Sequence, residues 1–230
     1  MTSAGPGRPR RQQPSRPGAT ARDEILDAAA ELFTTQGYAS TSTRSIADAV
    51  GIRQSSLYHH FKTKDEILED LLEGTVAGGL AFARAAAADT PGEVPGSRLH
   101  AVALYDGTLL CGARWNLGVL YHLPEVRSGR FARFLDDRQE LRRLYRELGA
   151  GLAGADGSGS SRPGSGGSGS GGDFTFRLVE SLISLRADGL ATPDSPMEAA
   201  DAGLALCGLA AMLPRIREES AVLIERHAQA

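Results

Sequence analysis

The sequence lacks several features that mark common classes of protein. Its 230 residues include only two cysteines, Cys111 and Cys207, which lie far apart and show no metal-ligand spacing. This argues against a disulfide scaffold and against a zinc site. The longest uncharged apolar run, residues 202–213, is too short to span a bilayer. No apolar segment follows the Arg10-Arg11 pair, so we expect no export signal and a cytoplasmic protein without membrane contact.

Motifs for catalysis are also missing. Asp106 and His100 are the residues that general acid–base chemistry would use, but no nucleophile motif, metal spacing or glycine-rich phosphate loop accompanies them. The adjacent His59 and His60 would point about 100° apart on a helix, so they do not form a metal-binding pair. We therefore expect no enzyme, no metal and no cofactor.

Charge is distributed unevenly along the chain. Residues 1–64 carry nine Lys and Arg against five Asp and Glu, a net charge of +4, whereas the whole chain has a net charge of −3. The remaining residues therefore carry −7. A basic first part on an acidic remainder is typical of a protein whose first part contacts phosphate groups.

The stretch from Thr43 to Lys64 has the pattern of two short helices joined by a tight turn at Gly51. Glycine adopts the positive φ that ends a helix in such a turn. Helical spacing predicts two apolar stripes, formed by Ile46, Ala47 and Val50 in the first helix and by Leu57, Tyr58 and Phe61 in the second. No acidic residue lies between Asp48 and Asp65. The pattern indicates a helix-turn-helix whose second helix suits a DNA major groove.

The flanking residues sharpen this interpretation. Leu-Tyr-His-His-Phe-Lys-Thr-Lys-Asp-Glu-Ile-Leu at 57–68, preceded by Arg-Ser-Ile-Ala-Asp-Ala-Val-Gly-Ile at 44–52 and a helix at 25–37, resembles the DNA-binding domain of TetR-family transcriptional regulators. The resemblance covers residues 20–70. Beyond them the chain is similar to the family only in length and helical content. The resemblance implies a DNA-binding regulator, most often a repressor that a small molecule releases from an inverted-repeat operator.

The resemblance also implies two kinds of DNA contact. Contacts to base edges are expected from Arg44 in the first helix. They are also expected from Gln54, Ser55 and Ser56, at the start of the second helix, which begins near Arg53. Contacts to phosphates are expected from Thr43, Tyr58, His59, His60 and Lys64. The chemistry agrees, since Arg pairs with guanine and Gln with adenine, while hydroxyl, imidazole and ammonium groups suit phosphate oxygens. Loss of Lys64 or Tyr58 should weaken binding to all sequences, whereas Gln54→Ala should cost about 1–3 kcal/mol at particular bases only.

We expect an all-α protein with an N-terminal three-helix DNA-binding domain at 20–63 and a larger helical effector-binding and dimerisation domain at 64–230. Residues 1–19 are rich in Pro, Gly and Arg and are expected to be a disordered basic arm, either a solubilising tail or a segment that enters the minor groove. Thr20 with Asp23 and Thr63 with Glu66 have the capping-box spacing that opens a helix.

The predicted body contains helices at 98–122, 128–148, 173–188, 196–213 and 215–228. Residues 149–172 are almost all Gly and Ser, so we expect a flexible linker there. The helix at 196–213 is apolar on every face and must be covered on all sides. We expect a homodimer in which the helices at 173–188 and 196–213 meet those of a second copy.

Aromatic and polar residues are concentrated between positions 100 and 122. The expected lining of an effector cavity consists of His100, Tyr105, Arg114, Trp115, Asn116, Tyr121 and His122. Rings combined with hydrogen-bonding groups are typical of ligand pockets, although single His and Trp residues in a helical body are more often part of the core. Two other functions stay open on the sequence: an effector-independent DNA-organising protein of the same fold, and a helical small-molecule enzyme.

Overall fold

A computed structural model describes residues 16–90, 94–152 and 170–227. The described residues form helices joined by turns and contain no β-strand, which confirms the all-α prediction. The α-helices are α1 (Ala21–Thr35), α2 (Thr43–Val50), α3 (Gln54–Leu57), α4 (Lys64–Ala88), α5 (Ser97–Gly112), α6 (Ala132–Gly149), α7 (Ser170–Ala187), α8 (Ser195–Leu206) and α9 (Leu213–His227). Short 3₁₀ helices occupy Leu117–His122, Pro124–Arg127, Gly129–Phe131 and Ala210–Met212. The chain divides into two compact units, Met1–Leu68 and Glu69–Ala230.

The first unit begins with the predicted capping box. Thr20 Oγ1 accepts the backbone N–H of Asp23 at 3.2 Å, and the Asp23 carboxylate accepts the backbone N–H of Thr20 at 3.0 Å. This reciprocal pair satisfies two N–H groups that have no partner within the helix. The buried face of α1 then packs its apolar side chains, Ile25 and Phe33 among them, into the core of the unit.

The helix-turn-helix forms as the apolar spacing predicts. Ile46 and Ala47 of α2 are fully buried, and Gly51 ends α2 with a φ of 74°, in the left-handed region that glycine enters without strain. One expectation was wrong: Tyr58 is 46% exposed and does not continue the apolar stripe. The reason is that Tyr58 lies about 100° around the helix axis from the buried Leu57, on the exposed face that also carries Gln54.

The second unit is a helical body built around α5. This helix packs against α7, α8 and α9, while α6 packs against α7. Its core contains large side chains that are almost fully buried, including Leu99, Phe134, Tyr145 and Leu204. None of the helices among the described residues is long and apolar enough to cross a membrane.

The predicted helix at 196–213 is shorter than expected. α8 ends at Leu206, because Gly208 takes a φ of 84° and turns the chain into a short 3₁₀ segment. Pro214 therefore lies in the first turn of α9, where a missing N–H costs no helical hydrogen bond. Leu209 is 1% exposed within a single chain, whereas Leu206 is 66% exposed and is available to a second copy.

The ends of the predicted linker are ordered parts of helices. Gly149 completes α6, and residues 170–172 open α7; residues 153–169 lie outside the described residues. A Cβ on Gly172 would lie 2.1 Å from the carbonyl oxygen of Tyr145, and one on Gly149 would lie 2.5 Å from the Gly172 nitrogen. Glycine at these positions therefore allows the α6 and α7 backbones to approach closely.

We expect Gly172→Ala to lower the free energy of unfolding by about 1–3 kcal/mol, because the added methyl group has to displace backbone atoms of α6. Gly129→Ala is the matched control, since a Cβ there meets no atom within 4 Å. Urea denaturation of both variants measures the difference. Equal stability of the two variants would show that α6 and α7 do not meet at Gly172.

Candidate functional site

The expected DNA-contacting side chains share one exposed stretch of the first unit. Thr43 and Arg44 open α2, and Arg53 precedes α3 with no side-chain capping bond. Exposed side chains are those of Arg44, Arg53, Gln54, Ser55, Tyr58, His59 and His60, whereas Thr43, Ser56 and Lys64 are partly exposed. The structure thus leaves most of the predicted set open to solvent, with Arg44 and Arg53 as its exposed permanent cations.

Three of these residues form a hydrogen-bonded triangle. Gln54 Nε2 lies 3.0 Å from Thr43 Oγ1 and 3.3 Å from Tyr58 Oη, and the two hydroxyl oxygens are 3.1 Å apart. The triangle connects the first residue of α2, the first residue of α3 and the turn that follows α3. It holds the two hydroxyl groups side by side on an exposed surface.

Lys64 is bound within its own unit rather than fully exposed. Its Nζ donates to the carbonyl oxygens of Tyr38 and Thr41, both at 2.8 Å, and lies 4.1 Å from the centroid of the Tyr38 ring. An ammonium group has three N–H donors. Two of them are therefore used to hold the loop before α2, and one is left for a phosphate.

The segment expected to be a disordered arm is ordered from Arg16 onward. Its Nη1 pairs with Asp27 at 2.9 Å and Glu31 at 2.7 Å, and its Nε donates to the carbonyl oxygen of Ala49 at 3.1 Å. The arm prediction at 1–19 is therefore wrong for residues 16–19, because the two α1 carboxylates hold this cation; residues 1–15 lie outside the described part.

His59 and His60 follow α3 in a hydrogen-bonded turn and do not belong to a helix. The backbone N–H of His59 reaches the carbonyl of Ser56, and that of His60 the carbonyl of Leu57. Both imidazoles remain exposed, next to Tyr58. Within the described residues, no group of three His, Cys, Asp or Glu side chains is placed to hold a metal ion.

The seven residues expected to line an effector cavity do not come together in one place. His100 is fully buried where α5 meets α8 and α9, with Nδ1 3.0 Å from Ser220 Oγ and Nε2 3.1 Å from Asp201 Oδ1. Burial lowers the pKa of His100, although its hydrogen bond to the Asp201 carboxylate opposes this. His100 therefore acts as a polar bridge of the helical core.

The others have separate partners. Tyr105 stacks on Phe82 at 4.3 Å between ring centroids, and Asn116 Nδ2 donates to the carbonyl of Ile183 at 2.8 Å. Arg114 lies 4.9 Å from the centroid of the Trp115 ring, and His122 is exposed. Residues five apart on a helix point about 140° from each other, which sends His100 and Tyr105 to different neighbours.

Tyr121 is the member of the set that borders a small cavity of about 20 Å³, which is lined by apolar side chains and several polar ones. Its hydroxyl donates to Thr75 Oγ1 at 2.7 Å. The guanidinium of Arg138, paired with Glu180, lies over the ring of Tyr121 at 5.3 Å. Burial raises the pKa of Tyr121 to about 12.

Asp106 contributes a buried carboxylate to the same cavity. It is 5% exposed and accepts a hydrogen bond from the Tyr145 hydroxyl at 3.0 Å. Burial raises its pKa to about 6, and the nearby Glu180 adds to this rise. A carboxylate kept in such surroundings is a candidate for binding, because perturbed titrating groups cluster at functional sites.

Sequence reasoning overlooked most of this cavity. Thr75 lies on α4, Arg138 on α6 and Glu180 on α7, so residues far apart in the chain supply the polar groups. Asp106 lies inside the polar stretch 100–122 but does not belong to the seven residues predicted to line the effector cavity. The available signal was charge at positions that the helical period places on buried faces, as Arg138 and Glu180 show.

The fold and the exposed surface define a helix-turn-helix DNA-binding protein. Comparison with known proteins agrees. The profile of the family described as "Bacterial regulatory proteins, tetR family" matches residues 25–71. The transcriptional repressor KstR2 of Mycolicibacterium smegmatis is 49% identical over 59 residues, which are 26% of this chain and 28% of that protein. The regulator AcrR of Shigella flexneri is 42% identical over 52 residues, 23% of this chain and 24% of that one. These matches thus span about a quarter of each curated relative.

A solved structure extends the similarity to the whole chain. The crystal structure of AmtR from Mycobacterium smegmatis superposes with a TM-score of 0.82 at 47% identity, covering 93% of this chain and 98% of that one. KstR2 of Mycobacterium tuberculosis, at 24% identity and a TM-score of 0.61, shows the same fold. The chain belongs to the TetR family and is a DNA-binding transcriptional regulator.

Proposed function

We propose that this TetR-family regulator is a repressor that binds an inverted-repeat operator as a homodimer and is released by a small-molecule effector. The observation that carries the DNA-binding part is the exposed helix-turn-helix surface. It presents arginine, amide, hydroxyl and imidazole groups, and its sequence has no acid between Asp48 and Asp65. Such a surface suits a polyanion with readable base edges.

Within this surface we assign base-edge contacts to Arg44, Ser55 and Ser56, with Arg53 beside them at the start of α3. Phosphate contacts go to the hydroxyl groups of Thr43 and Tyr58, the imidazoles of His59 and His60, and the remaining donor of Lys64. Lys64 has a second task, because two of its hydrogen bonds hold the loop before α2.

We expect Arg44→Ala to weaken operator binding by about 1–3 kcal/mol if its guanidinium pairs with a base. Its ion pair with Asp48 is a 4.0 Å approach between exposed groups and adds little stability. Arg146→Ala, which removes an exposed arginine of α6, is the matched control and should leave affinity unchanged. Fluorescence anisotropy with operator duplexes measures both variants. Equal loss in the two would remove the helix-turn-helix surface from the proposal.

The homodimer is proposed to form through α7 and α8. In a single chain these helices expose large apolar side chains, with Phe174 58% and Leu206 66% exposed. Ala202 and Ala205 are also exposed on α8. Small residues beside large apolar ones let helices of two copies approach closely, and burial of this surface supports association.

The effector is proposed to bind at the small cavity beside Asp106 and Tyr121. Its volume of about 20 Å³ suffices for one water molecule and not for a metabolite. An effector has to separate the surrounding helices to enter. Such a ligand binds an expanded conformation more tightly than the present one. A release mechanism requires this difference in affinity between the two conformations.

An open groove of about 470 Å³ offers a second location, lined by Thr108, Cys111 and Arg186. The guanidinium of Arg186 already donates to the carbonyl oxygens of Leu110 and Ala113. The groove residues named here include no buried carboxylate like Asp106. We therefore prefer the small cavity beside Asp106 as the effector site.

The same small volume favours one alternative function, a DNA-binding protein of this fold that needs no effector. A genome-wide pull-down separates the two: enrichment at a few sites supports a regulator, and broad coverage supports a DNA-organising protein. Mass spectrometry of molecules that co-purify with the protein tests the effector directly. Turnover of such a molecule would instead indicate an enzyme.

A further inference from the structure

We propose that Gln54 is a positioning residue of the DNA interface: it orients the hydroxyl groups of Thr43 and Tyr58 toward one DNA phosphate and does not itself read a base. This inference rests on the proposed function and refines the role of one residue within it. It starts from the hydrogen-bonded triangle on the exposed surface, in which each of the three residues contacts the other two.

The protons of the triangle can be counted. The Gln54 amide nitrogen lies within hydrogen-bond distance of both hydroxyl oxygens, at 3.0 Å for Thr43 and 3.3 Å for Tyr58. Because the three distances of the triangle are nearly equal, the two oxygens lie closer together in direction than the two amide N–H groups diverge, so one N–H is directed at the pair of oxygens. The two hydroxyl groups have two protons, of which one lies between the oxygens, 3.1 Å apart. One hydroxyl proton is left over. The triangle therefore presents a single oriented donor to the outside.

The same count disfavours base reading by Gln54. Recognition of adenine by glutamine uses one amide N–H as donor and the amide oxygen as acceptor. The amide nitrogen of Gln54 already donates to these hydroxyl oxygens, so turning the amide toward adenine would break these contacts. A positioning role for Gln54 breaks none of the hydrogen bonds of the triangle.

The placement of the three residues fits a phosphate. Thr43 is the first residue of α2, and the first N–H groups of a helix have no carbonyl partner within it. Tyr58 is 46% exposed and is followed by the exposed imidazoles of His59 and His60. The free hydroxyl proton therefore lies among other donors, and Gln54 fixes the direction in which it points.

A double-mutant cycle tests the assignment. The variants are Gln54→Ala, Thr43→Val/Tyr58→Phe, and the triple variant. Each is measured by anisotropy at fixed salt, with the operator that the wild-type protein selects from random duplexes and with an unrelated duplex of the same length. Melting temperatures verify that each variant is folded, and Tyr58→Phe alone replaces the double background if that background does not fold.

We expect Gln54→Ala to weaken binding to both duplexes by about three- to tenfold, as loss of one or two neutral hydrogen bonds would. The ratio of the two affinities should stay constant. In the Thr43→Val/Tyr58→Phe background the same change should matter by less than about twofold, because the groups it orients are gone. In the Tyr58→Phe background, the logarithm of the affinity loss caused by Gln54→Ala should be about half of its wild-type value, because the contact with Thr43 remains.

Ser55→Ala is the matched control, since Ser55 is an exposed neighbour of Gln54 outside the triangle. Its effect should be the same in every background. A loss of operator preference on Gln54→Ala, an undiminished effect in the Thr43→Val/Tyr58→Phe background, or no effect in the wild-type background would overturn the inference. Failure of the wild-type protein to bind any duplex would instead overturn the proposed function.

Discussion

Leu206→Glu is expected to convert the homodimer into monomers and to lower operator affinity by at least about 100-fold, since two linked half-site contacts gain a factor of 10²–10⁴ over one. Leu206 is 66% exposed in a single chain and belongs to the apolar surface of α7 and α8. A carboxylate placed there would be buried without a partner in the dimer, which costs several kcal/mol.

Val222→Glu is the matched control. Val222 is 54% exposed on α9, outside the proposed interface, so the same chemical change should leave mass and affinity unaltered. Sedimentation equilibrium gives the mass and anisotropy the affinity. An intact Leu206→Glu dimer, or dissociation caused by Val222→Glu, would place the interface on other helices. Leu209 is unsuitable for this test, because it is buried within the single chain.

Asp106→Asn is expected to raise the free energy of unfolding at pH 7.5 by up to about 3 kcal/mol, because an amide fills the same space without a buried charge. The pKa of Asp106 rises from 3.8 to about 6 in the folded protein, and one pKa unit corresponds to about 1.4 kcal/mol. The Tyr145 hydroxyl still finds an acceptor in the asparagine oxygen.

The pH dependence of this gain has a fixed sign. Between pH 4 and pH 6, as the pKa of Asp106 requires, the folded state holds a proton on Asp106 that the unfolded state has lost, so wild-type stability falls as pH rises through this window. The advantage of Asp106→Asn should be absent at about pH 4 and complete above about pH 7. Urea denaturation at pH 4.5, 6 and 7.5 measures it.

Asp136→Asn, an exposed carboxylate of α6, is the control and should show no such trend. If Asp106→Asn is destabilising at every pH, the carboxylate is a structural part of the core. If it is stabilising as expected and leaves operator affinity unchanged, Asp106 is retained at a cost in stability, as residues that bind ligands often are.

Local signals in the sequence were sufficient for the first unit. The Thr20–Asp23 capping box, the buried pair Ile46 and Ala47, and the positive φ of Gly51 each follow from a few neighbouring residues. A capping box or a turn needs no information from distant parts of the chain, so spacing alone predicts it. Tyr58 departs from the apolar stripe because it lies on the exposed face that also carries Gln54.

The body depended on contacts that spacing does not reveal. The cavity joins Thr75, Asp106, Tyr121, Arg138 and Glu180 from five separate segments, and helical periodicity cannot tell which buried faces will meet. Periodicity also missed the end of α8. The sequence at 202–213 consists of apolar and small residues throughout, and only the positive φ of Gly208 shows that the helix ends.

The pair Arg114 and Trp115 shows the opposite error. Its residue types are those of a ligand site, and yet its arginine lies over the tryptophan ring and neither residue lines the cavity beside Asp106. The residue types predicted a ligand site at Arg114 and Trp115. The position of these two side chains, however, depends on how α5 ends at Gly112 and on the 3₁₀ segment that follows.

The central claim, that the chain recognises an inverted-repeat operator as a homodimer, is tested most directly by selecting duplexes from a random pool with the wild-type protein and determining the mass of the resulting complex. We predict an enriched sequence with two-fold symmetry and an even number of protein chains on each duplex. Absence of an enriched sequence, or an enriched site without two-fold symmetry that binds a single chain, would contradict it.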